Sequence, residues 1–295
     1  MATLTADDAA QLFRQEPDAW IDVGAGEAAH RQVGTGPDVL FVHGWPVSGA
    51  TFRTLLPYLA EHVTCHMIDL PSAGDSRFDP VTTPLSLDQH IISVRRVIDA
   101  LGVDRLSLVG HDSGGLIARH AAVGDGRVSA LGLNNTEPSQ TVSWRFRAFL
   151  ASRNLPGFGP ALGWLAGKPK LRRNGFVLGD AFADRSLLDG EFDEFFLQPL
   201  NRDRARLDAA IRVLRSFDIG RHVETLGDIH ARLDMPVHLV WGDQDPFFPL
   251  PTAREEVGTF PDASLSVIPG AGLFSHEERP AEVADALLPT LVGAG

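Results

Sequence analysis

The sequence predicts an α/β protein built on a mostly parallel sheet. Short apolar runs alternate with amphipathic helical patterns along most of the 295 residues. This alternation is typical of parallel sheets, because parallel strands need long crossover connections that are usually helical. Hydrophobic residues make up 44% of the chain and charged residues 22%, which is enough for a large buried core.

The first half of the chain supplies the clearest elements. "WIDVG" (20–24) and "AHRQVG" (29–34) flank a short turn and predict an opening hairpin. "VLFVHG" (39–44) and "VTCHMIDL" (63–70) are mostly apolar and predict buried strands. A helix is predicted over residues 86–102, where Ser86 and Gln89 are expected to form a capping box and Gly102 to end the helix.

The pattern continues with strand "RLSLVG" (105–110), helix "GLIARHAA" (115–122) and strand "VSALGLNN" (128–135). It returns with strands "PVHLVWG" (236–242) and "SLSVIPG" (264–270), then a last helix from about Pro280. Between these two parts the alternation fails. We therefore predict a core of residues 1–135 and 227–295 and a helical cap insertion of residues 136–226. Such an insertion is expected over the carboxyl ends of the strands, where open α/β sheets bind ligands.

Composition limits the partners and the compartment. The formal net charge of −12, with no long basic block, argues against binding to nucleic acid or to an anionic membrane surface. The single cysteine, Cys65, excludes a disulfide framework within the chain, and the N-terminus lacks a signal-peptide pattern. We expect a soluble cytoplasmic protein, a monomer or homodimer. No metal cluster, phosphate loop or dinucleotide fingerprint is present in the sequence, so no metal or cofactor is expected.

The run "LSLVGHDSGGLIARHAA" (106–122) predicts a strand that turns at once into a helix around a nucleophile. Small residues must stand two places before and after the nucleophile, because the turn brings backbones close together. Asp112 meets this requirement with Gly110 and Gly114, whereas Ser113 would place His111 at a small position. Asp112 is therefore the predicted nucleophile. Ser113 as a serine-esterase nucleophile, and Asp112 as a simple helix cap, are the alternatives.

Five segments carry a family resemblance: "VHGWP" (42–46), "DLPSAGDS" (69–76), "VGHDSGG" (109–115), "VWGDQDPFFP" (240–249) and "IPGAGLFSHEERP" (268–280). In order and spacing the chain resembles α/β-hydrolase fold proteins of the aspartate-nucleophile branch, which includes haloalkane dehalogenases and epoxide hydrolases. The resemblance covers nearly the whole chain outside the insertion. A carboxylate nucleophile suits attack on an sp³ carbon, since this gives a stable alkyl ester rather than an anhydride.

The resemblance also implies roles for other residues. The backbone N–H groups of Ser113 and Trp45 are expected to form the oxyanion hole for hydrolysis of the ester. Asp245 is the expected orienting acid, with Glu137 as the alternative, and Asp243 is expected to be a turn residue. The turn role of Asp243 follows from the preference of aspartate for turns, and the orienting roles are inferred from the family pattern.

The family's histidine base is missing. Leu273 stands at its position, and the one histidine after Asp245 is His276, three residues further on. Three interpretations remain open. Leu273 is an introduced substitution that traps the alkyl-enzyme, or a natural change towards binding or base-free chemistry, or else His276 has taken over as base. Leucine cannot accept a proton, so the first two interpretations predict stalled hydrolysis.

The side-chain hydrogen-bond donors near the nucleophile indicate which leaving group the site could accept. Tryptophan N–H groups suit a halide, and Trp45, Trp144 and Trp164 are candidates. Epoxide hydrolases of this branch use tyrosines in the insertion, but the one tyrosine here, Tyr58, lies in the core domain and is expected to pack there. We place His43, Trp144 and Trp164 around a pocket for a small apolar organic substrate. The insertion's phenylalanines agree with an apolar substrate: Phe146, Phe149, Phe158, Phe176 and Phe182.

The sequence therefore predicts a hydrolase that attacks an apolar alkyl electrophile through Asp112, most simply a haloalkane dehalogenase-like enzyme with impaired ester hydrolysis. Epoxide hydrolysis is the alternative reaction. A non-catalytic small-molecule-binding protein on the same scaffold is the alternative from another class, and Leu273 is the feature that supports it.

Overall fold

A computed structural model describes residues 3–139 and 143–293. Its centre is an eight-stranded sheet in the order β1-β2-β4-β3-β5-β6-β7-β8. The strands are β1 Ala19–Asp22, β2 Glu27–Gly34, β3 Asp38–Val42, β4 Thr64–Asp69, β5 Leu106–His111, β6 Val128–Asn134, β7 Val237–Gly242 and β8 Ala263–Ile268. The β1–β2 and β2–β4 pairs are antiparallel and the other pairs are parallel. The predicted α/β-hydrolase architecture is confirmed.

Helices connect and cover these strands. They are α1 Ala6–Leu12, α2 Leu56–Leu59, α3 Leu87–Leu101, α4 Ser113–Ala122, α5 Trp144–Ser152, α6 Phe158–Ala166, α7 Pro169–Arg172, α8 Gln198–Arg202, α9 Arg204–Ser216, α10 Ile219–Glu224, α11 Leu226–His230, α12 Leu250–Val257, α13 Ser275–Glu278 and α14 Pro280–Gly293. Short 3₁₀ segments span Gly49–Thr54, Gly179–Ala181 and Arg185–Leu188, and a π-helical turn spans Asp193–Leu197. In the described chain no helix has both the length and the apolar character needed to cross a membrane.

The ends of α3 show how local sequence sets an element. Ser86 accepts a hydrogen bond from the N–H of Gln89 (3.2 Å), and Gly102 closes the helix with a φ of +64°. The predicted reciprocal half of the capping box is not formed. The Gln89 amide instead donates to the carbonyl oxygen of Val23 at 3.5 Å, which ties the helix to the loop after β1.

The core lies on both faces of the central strands. β3, β4 and β5 are almost completely buried, as expected for parallel strands covered by helices on both sides. Phe41 of β3 and Phe52 are both fully buried, with ring centroids 5.1 Å apart. Each such side chain contributes about 1.5–3 kcal/mol through burial alone. This rigid sheet fixes the positions of the strand ends.

The site lies where β5, β6 and β7 end. Parallel pairing aligns His111 with Asn134 and Asn134 with Val240, so the residues that follow these strands meet at one edge. In the described part of the chain, the segment between β6 and β7 contains the helices α5 to α11 and no strand. Residues from this segment cover the same edge.

Candidate active site

Asp112 occupies a strained turn between β5 and α4. Its φ of +51° and ψ of −137° lie outside the regions that non-glycine residues usually adopt. The turn needs its flanking glycines. A Cβ on Gly110 would lie 2.5 Å from the Cα of Gly115, and one on Gly114 would lie 2.1 Å from the carbonyl oxygen of Val42. This crowding agrees with the register in which Asp112 is central.

The Asp112 carboxylate does not act as a helix cap, because it makes no capping hydrogen bond to α4. It points towards Trp45, whose backbone N–H donates to Oδ2 at 3.0 Å. Burial raises the pKa of Asp112 to about 6, and the backbone N–H groups of Ser113 and Trp45 oppose this shift by stabilising the anion. Oδ2 thus accepts hydrogen bonds from the Trp45 N–H and from the Ser113 hydroxyl (3.2 Å), which leaves Oδ1 available for reaction.

Asn135 organises the site, and the sequence analysis did not identify it. Its carbonyl oxygen accepts the N–H of Asp112 (2.9 Å), and its Nδ2 donates to Asp245 Oδ2 (2.8 Å). Its backbone has a φ of +37°, a conformation that asparagine tolerates better than most residues. A polar residue directly after a buried strand was the available signal. Asn135 joins the ends of β5, β6 and β7.

Asp245 is buried, and its carboxylate accepts hydrogen bonds from Asn135 and from the N–H groups of Phe247 (2.8 Å) and Phe248 (3.0 Å). Burial raises its pKa to about 7, and the Asp112 charge adds to that shift. Asp243 accepts the N–H of Gly270 (2.8 Å) and is a turn residue, as expected. Among the described residues, Asp245 has no histidine partner to orient.

Glu137 lies beside Asp112 in the same cavity and is almost completely buried. Thr136 stands between them, with Oγ1 2.8 Å from the Asp112 carbonyl oxygen and 3.1 Å from Glu137 Oε2. Below this loop, Arg119 Nη2 donates to the Glu137 carbonyl oxygen (2.7 Å). Arg119 also pairs with Glu256 at 2.6 Å, so the loop rests on a buried ion pair.

At residue 273, where the resemblance implies a histidine base, the side chain cannot exchange protons. Leu273 lines the cavity with Asp112 and Glu137. His276 does not line it: Nδ1 lies 2.9 Å from Asn134 Oδ1 and Nε2 lies 2.8 Å from Thr51 Oγ1, in a fully buried setting that lowers its pKa well below the usual value. The interpretation that His276 has taken over as base therefore does not fit. Both ring nitrogens of His276 are within hydrogen-bonding distance of buried side chains that do not line the cavity.

The cavity has a volume of about 290 Å³. Asp112, Ser113 and Glu137 lie on its wall, and no histidine lies on it within the described residues. Its mouth is marked by two exposed aromatic side chains that also line it, Trp144 (67% exposed) and Phe176 (86% exposed). Most of the remaining wall is apolar: Phe146, Phe149, Val177, Leu178, Leu214, Phe217, Ile219, Phe247, Phe248, Leu273 and Phe274. Such a wall accepts an apolar ligand and excludes water from the carboxylates.

Several predicted pocket residues have other positions. The Trp45 indole donates to the Ala210 carbonyl oxygen (2.8 Å), so it is not free to hold a halide. Trp164 is 57% exposed and does not line the cavity; it lies on the outer side of α6 near Lys168. Of the three tryptophans, Trp144 is the one that lines the cavity and whose indole is not bonded to Ala210 as that of Trp45 is. Tyr58 lies in a core-domain helix as expected but is 43% exposed.

His43 also lies outside the cavity. It is buried and lines a separate hollow of about 50 Å³ on the other side of Trp45. Its Nε2 accepts the N–H of Leu70 (3.0 Å), and its Nδ1 lies 2.9 Å from the Gly44 carbonyl oxygen. His43 therefore shapes the turn that carries the Trp45 N–H and does not line the cavity that contains Asp112.

Comparison with known proteins supports the fold. A family model described as the α/β hydrolase fold matches residues 37–280. Haloalkane dehalogenase 2 of Mycobacterium tuberculosis is 29% identical over 293 residues, covering 94% of this chain and 96% of the relative. An α/β-hydrolase fold protein from Burkholderia ambifaria superposes with a TM-score of 0.77 at 24% identity, covering 93% of this chain and 98% of that one. The epoxide hydrolase CorEH superposes with a TM-score of 0.74 at 18% identity, covering 95% and 98%. The predicted membership is confirmed: the chain belongs to the α/β-hydrolase fold family.

Proposed function

We propose that this protein is a hydrolase that uses the Asp112 carboxylate to attack an apolar alkyl electrophile and so forms an alkyl ester on the enzyme. The observation that carries the proposal is the position of Asp112. It lies on a strained elbow at the base of an apolar cavity, with one oxygen held by the Trp45 N–H. The similarity to a dehalogenase over nearly the whole chain supports the same chemistry.

In the first step a carboxylate oxygen of Asp112 forms a bond to carbon while the bond to the leaving group breaks. The leaving group departs with its electron pair. In the second step water attacks the Asp112 carbonyl carbon, the acyl C–O bond breaks, and the product alcohol leaves. In this proposal the N–H groups of Trp45 and Ser113, which stabilise the Asp112 carboxylate, also stabilise the oxyanion of the second step.

Leu273 makes the second step slow. Family relatives would use a histidine here, but this side chain offers neither a donor nor an acceptor to the water. Because Asp245 has no histidine partner among the described residues, the usual acid–histidine relay is incomplete. We expect the alkyl ester to accumulate during reaction with a good alkylating substrate. We further propose that the helices between β6 and β7 act as a cap, since they supply most of the cavity wall.

Two leaving groups fit. A halide leaves without needing a proton, and the Trp144 indole on the cavity wall is a donor for it. An epoxide oxygen needs a proton, and the buried carboxyl of Glu137 on the same wall is an acid that can supply one. Epoxide hydrolysis is therefore a second candidate, supported by Glu137 rather than by tyrosines.

The test is the intact mass of the protein after incubation with a panel of alkyl bromides and epoxides. We expect a mass increase equal to the transferred alkyl group, located on the peptide that contains Asp112. Single-turnover hydrolysis in H₂¹⁸O, with the enzyme in excess over the substrate, should place the label in the Asp112 carboxylate and not in the alcohol. Asp112→Asn is the control and should remain unmodified, because an amide is a poor nucleophile at this carbon.

Two results would contradict the proposal. Unmodified protein with no halide or diol released across the panel would favour a binding protein on this scaffold. Product formed without any ¹⁸O entering Asp112 would mean that water attacks the substrate directly and that Asp112 is not the nucleophile.

A further inference from the structure

A carboxylate-nucleophile hydrolase must move protons, and the described cavity wall offers no histidine for this purpose. Glu137 is the carboxyl side chain that lines the cavity together with Asp112, and it is nearly sealed from solvent. It lies three residues after β6, and Asp112 lies one residue after the paired strand β5. The fold therefore holds a second carboxyl group beside the nucleophile.

The hydrogen bonds around Thr136 accommodate a protonated Glu137. The Thr136 hydroxyl has one hydrogen, and the Asp112 carbonyl oxygen at 2.8 Å can only accept it. Arg119 Nη2 donates to Thr136 Oγ1 at 3.1 Å, and Glu137 Oε2 also lies 3.1 Å from that oxygen. A protonated Glu137 can donate to the second lone pair of Oγ1, which an ionised carboxylate cannot do. The same threonine connects the backbone of the nucleophile to the Glu137 side chain.

Electrostatics agree with this protonation state. Burial, followed by the nearby Asp112 charge, raises the pKa of Glu137 to about 8, and the Arg119 charge opposes the shift. Arg119 itself is neutralised by Glu256 at 2.6 Å. The charged and titratable groups around Glu137 are Asp112, Asp245, Arg119, Glu256 and Arg145. Of the two carboxyl groups, Glu137 is therefore the one that holds a proton more readily.

We propose that Glu137 is the acid–base residue of both half-reactions, donating a proton to an oxygen leaving group and then accepting one from the water that hydrolyses the Asp112 ester. This assignment rests on the proposed function. It gives Glu137 a direct part in the chemistry, in place of the orienting role considered for it from the sequence. It also supplies the proton acceptor that Leu273 cannot provide.

The proton balance closes for an epoxide. Asp112 attacks the ring carbon, the C–O ring bond breaks, and the ring oxygen takes the proton of Glu137. Glu137 is then ionised and accepts a proton from water as that water attacks the ester carbonyl. When the tetrahedral intermediate collapses, its acyl C–O bond breaks and the remaining water proton passes to the departing alkoxide. The diol is released, and Asp112 is left ionised and Glu137 protonated. For a halide, the halide leaves as an anion and the proton of Glu137 passes to solvent.

Ester formation also prepares Glu137 for the second step. The Asp112 ester is neutral, so the negative charge that helps to keep Glu137 protonated is removed. The carboxyl group therefore ionises more readily in the alkyl-enzyme than in the free enzyme. It is an acid when the nucleophile is charged and a base once the nucleophile is esterified.

The test compares 1-bromohexane with 1,2-epoxyhexane, which share a carbon chain but differ in whether the leaving group needs a proton. For Glu137→Gln we expect the hexyl adduct to form within about tenfold of the wild-type rate, because bromide needs no acid. Diol formation and decay of the hexyl adduct should each fall by about 100-fold or more. Glu224→Gln, at an exposed glutamate of α10, is the matched control and should react with both substrates at the wild-type rates.

The wild-type enzyme gives a second readout that needs no variant. Decay of its hexyl adduct should rise with pH and level off at or below about pH 8, as Glu137 ionises. A structural role for Glu137 would not produce this plateau.

Equal adduct decay in the wild type and Glu137→Gln, or a wild-type adduct stable from pH 6 to 9, would overturn the role of Glu137 while leaving Asp112 as nucleophile. Turnover of 1-bromohexane with no diol formed from 1,2-epoxyhexane would overturn the role of Glu137 as proton donor to the leaving group. No hexyl adduct in either protein would overturn the proposed function itself.

Discussion

His111 Nε2 donates a hydrogen bond to the backbone carbonyl oxygen of Leu273 at 3.1 Å. The carbonyl can only accept, so Nε2 carries the proton, and burial lowers the pKa of this imidazole to about 3. His111 is therefore a fixed neutral donor that holds the backbone of residue 273. The Leu273 side chain consequently faces the cavity from a well-defined position.

This tether makes Leu273→His an informative variant. An imidazole of similar size would enter the cavity wall beside Asp112 and Glu137 and could take a proton from the hydrolytic water. We expect decay of the Asp112 alkyl ester to accelerate by at least about 100-fold. The decay is followed by intact mass after excess bromide has been removed.

Leu273→Met is the control for this substitution, because methionine fills a similar volume and does not accept a proton from water. Its adduct should decay at the wild-type rate. Equal acceleration in both variants would mean that altered packing, and not the imidazole, promotes hydrolysis.

Ser113→Ala separates the two possible nucleophiles. The Ser113 hydroxyl donates to Asp112 Oδ2 at 3.2 Å, whereas its backbone N–H, which the variant keeps, supports the same carboxylate. We expect alkylation of Asp112 to slow by less than about tenfold, since one neutral hydrogen bond contributes about 1 kcal/mol. A serine-directed phosphonate that labels the wild type but not Ser113→Ala would instead support the serine-esterase interpretation.

The elements were predictable because each leaves a periodic signature. The buried strands, α3 and the elbow follow from apolar runs, from a capping serine and from glycines around Asp112. Their bounds differ from the predicted ones by one or two residues at most positions, as fraying ends allow. The fold class and family could therefore be predicted from the amino-acid sequence alone.

The site was less predictable because it depends on contacts between distant segments. The bond from the Trp45 indole to Ala210 spans 165 residues, and the burial of His276 against Thr51 spans 225. Neither contact has a local pattern. Asn135 follows a strand in sequence, but its role in joining Asp112 to Asp245 appears once three strand ends are placed side by side.

The pH dependence of ester formation should report Asp112. Burial raises the pKa of this carboxyl group to about 6, and the ionised form is the nucleophile. The initial rate of adduct formation with 1-bromohexane should therefore fall about tenfold for each pH unit below 6 and be constant from about pH 7 to 8. A rate that stays constant down to pH 4.5 would contradict this assignment of the nucleophile.

Glu137 should lower stability at high pH. Its folded-state pKa of about 8 exceeds the usual 4.5, so between these values the folded protein binds a proton that the unfolded chain releases. The contribution of Glu137 to the free energy of unfolding is fully present below pH 4.5 and declines as the pH rises towards 8. Glu137→Gln should raise the Tm at pH 8 by roughly 5 °C, corresponding to about 2 kcal/mol, and change it little at pH 5. Differential scanning calorimetry at both pH values checks this, and an equal shift at both would rule out the titration as its cause.

Gly44 offers a steric test of the nucleophile's position. A Cβ at Gly44 would lie 2.4 Å from Asp112 Oδ2 and 2.8 Å from the His111 carbonyl oxygen, so the Asp112 side chain must move away from the Trp45 N–H. We expect Gly44→Ala to slow ester formation by at least about 100-fold, since small displacements of a reacting group carry costs of this size. Gly227→Ala is the matched control, because nothing lies within 4 Å of its added Cβ and alanine favours its helix, α11. If Gly44→Ala formed the hexyl adduct as fast as Gly227→Ala, the carboxylate position held by Trp45 would not be the reactive one.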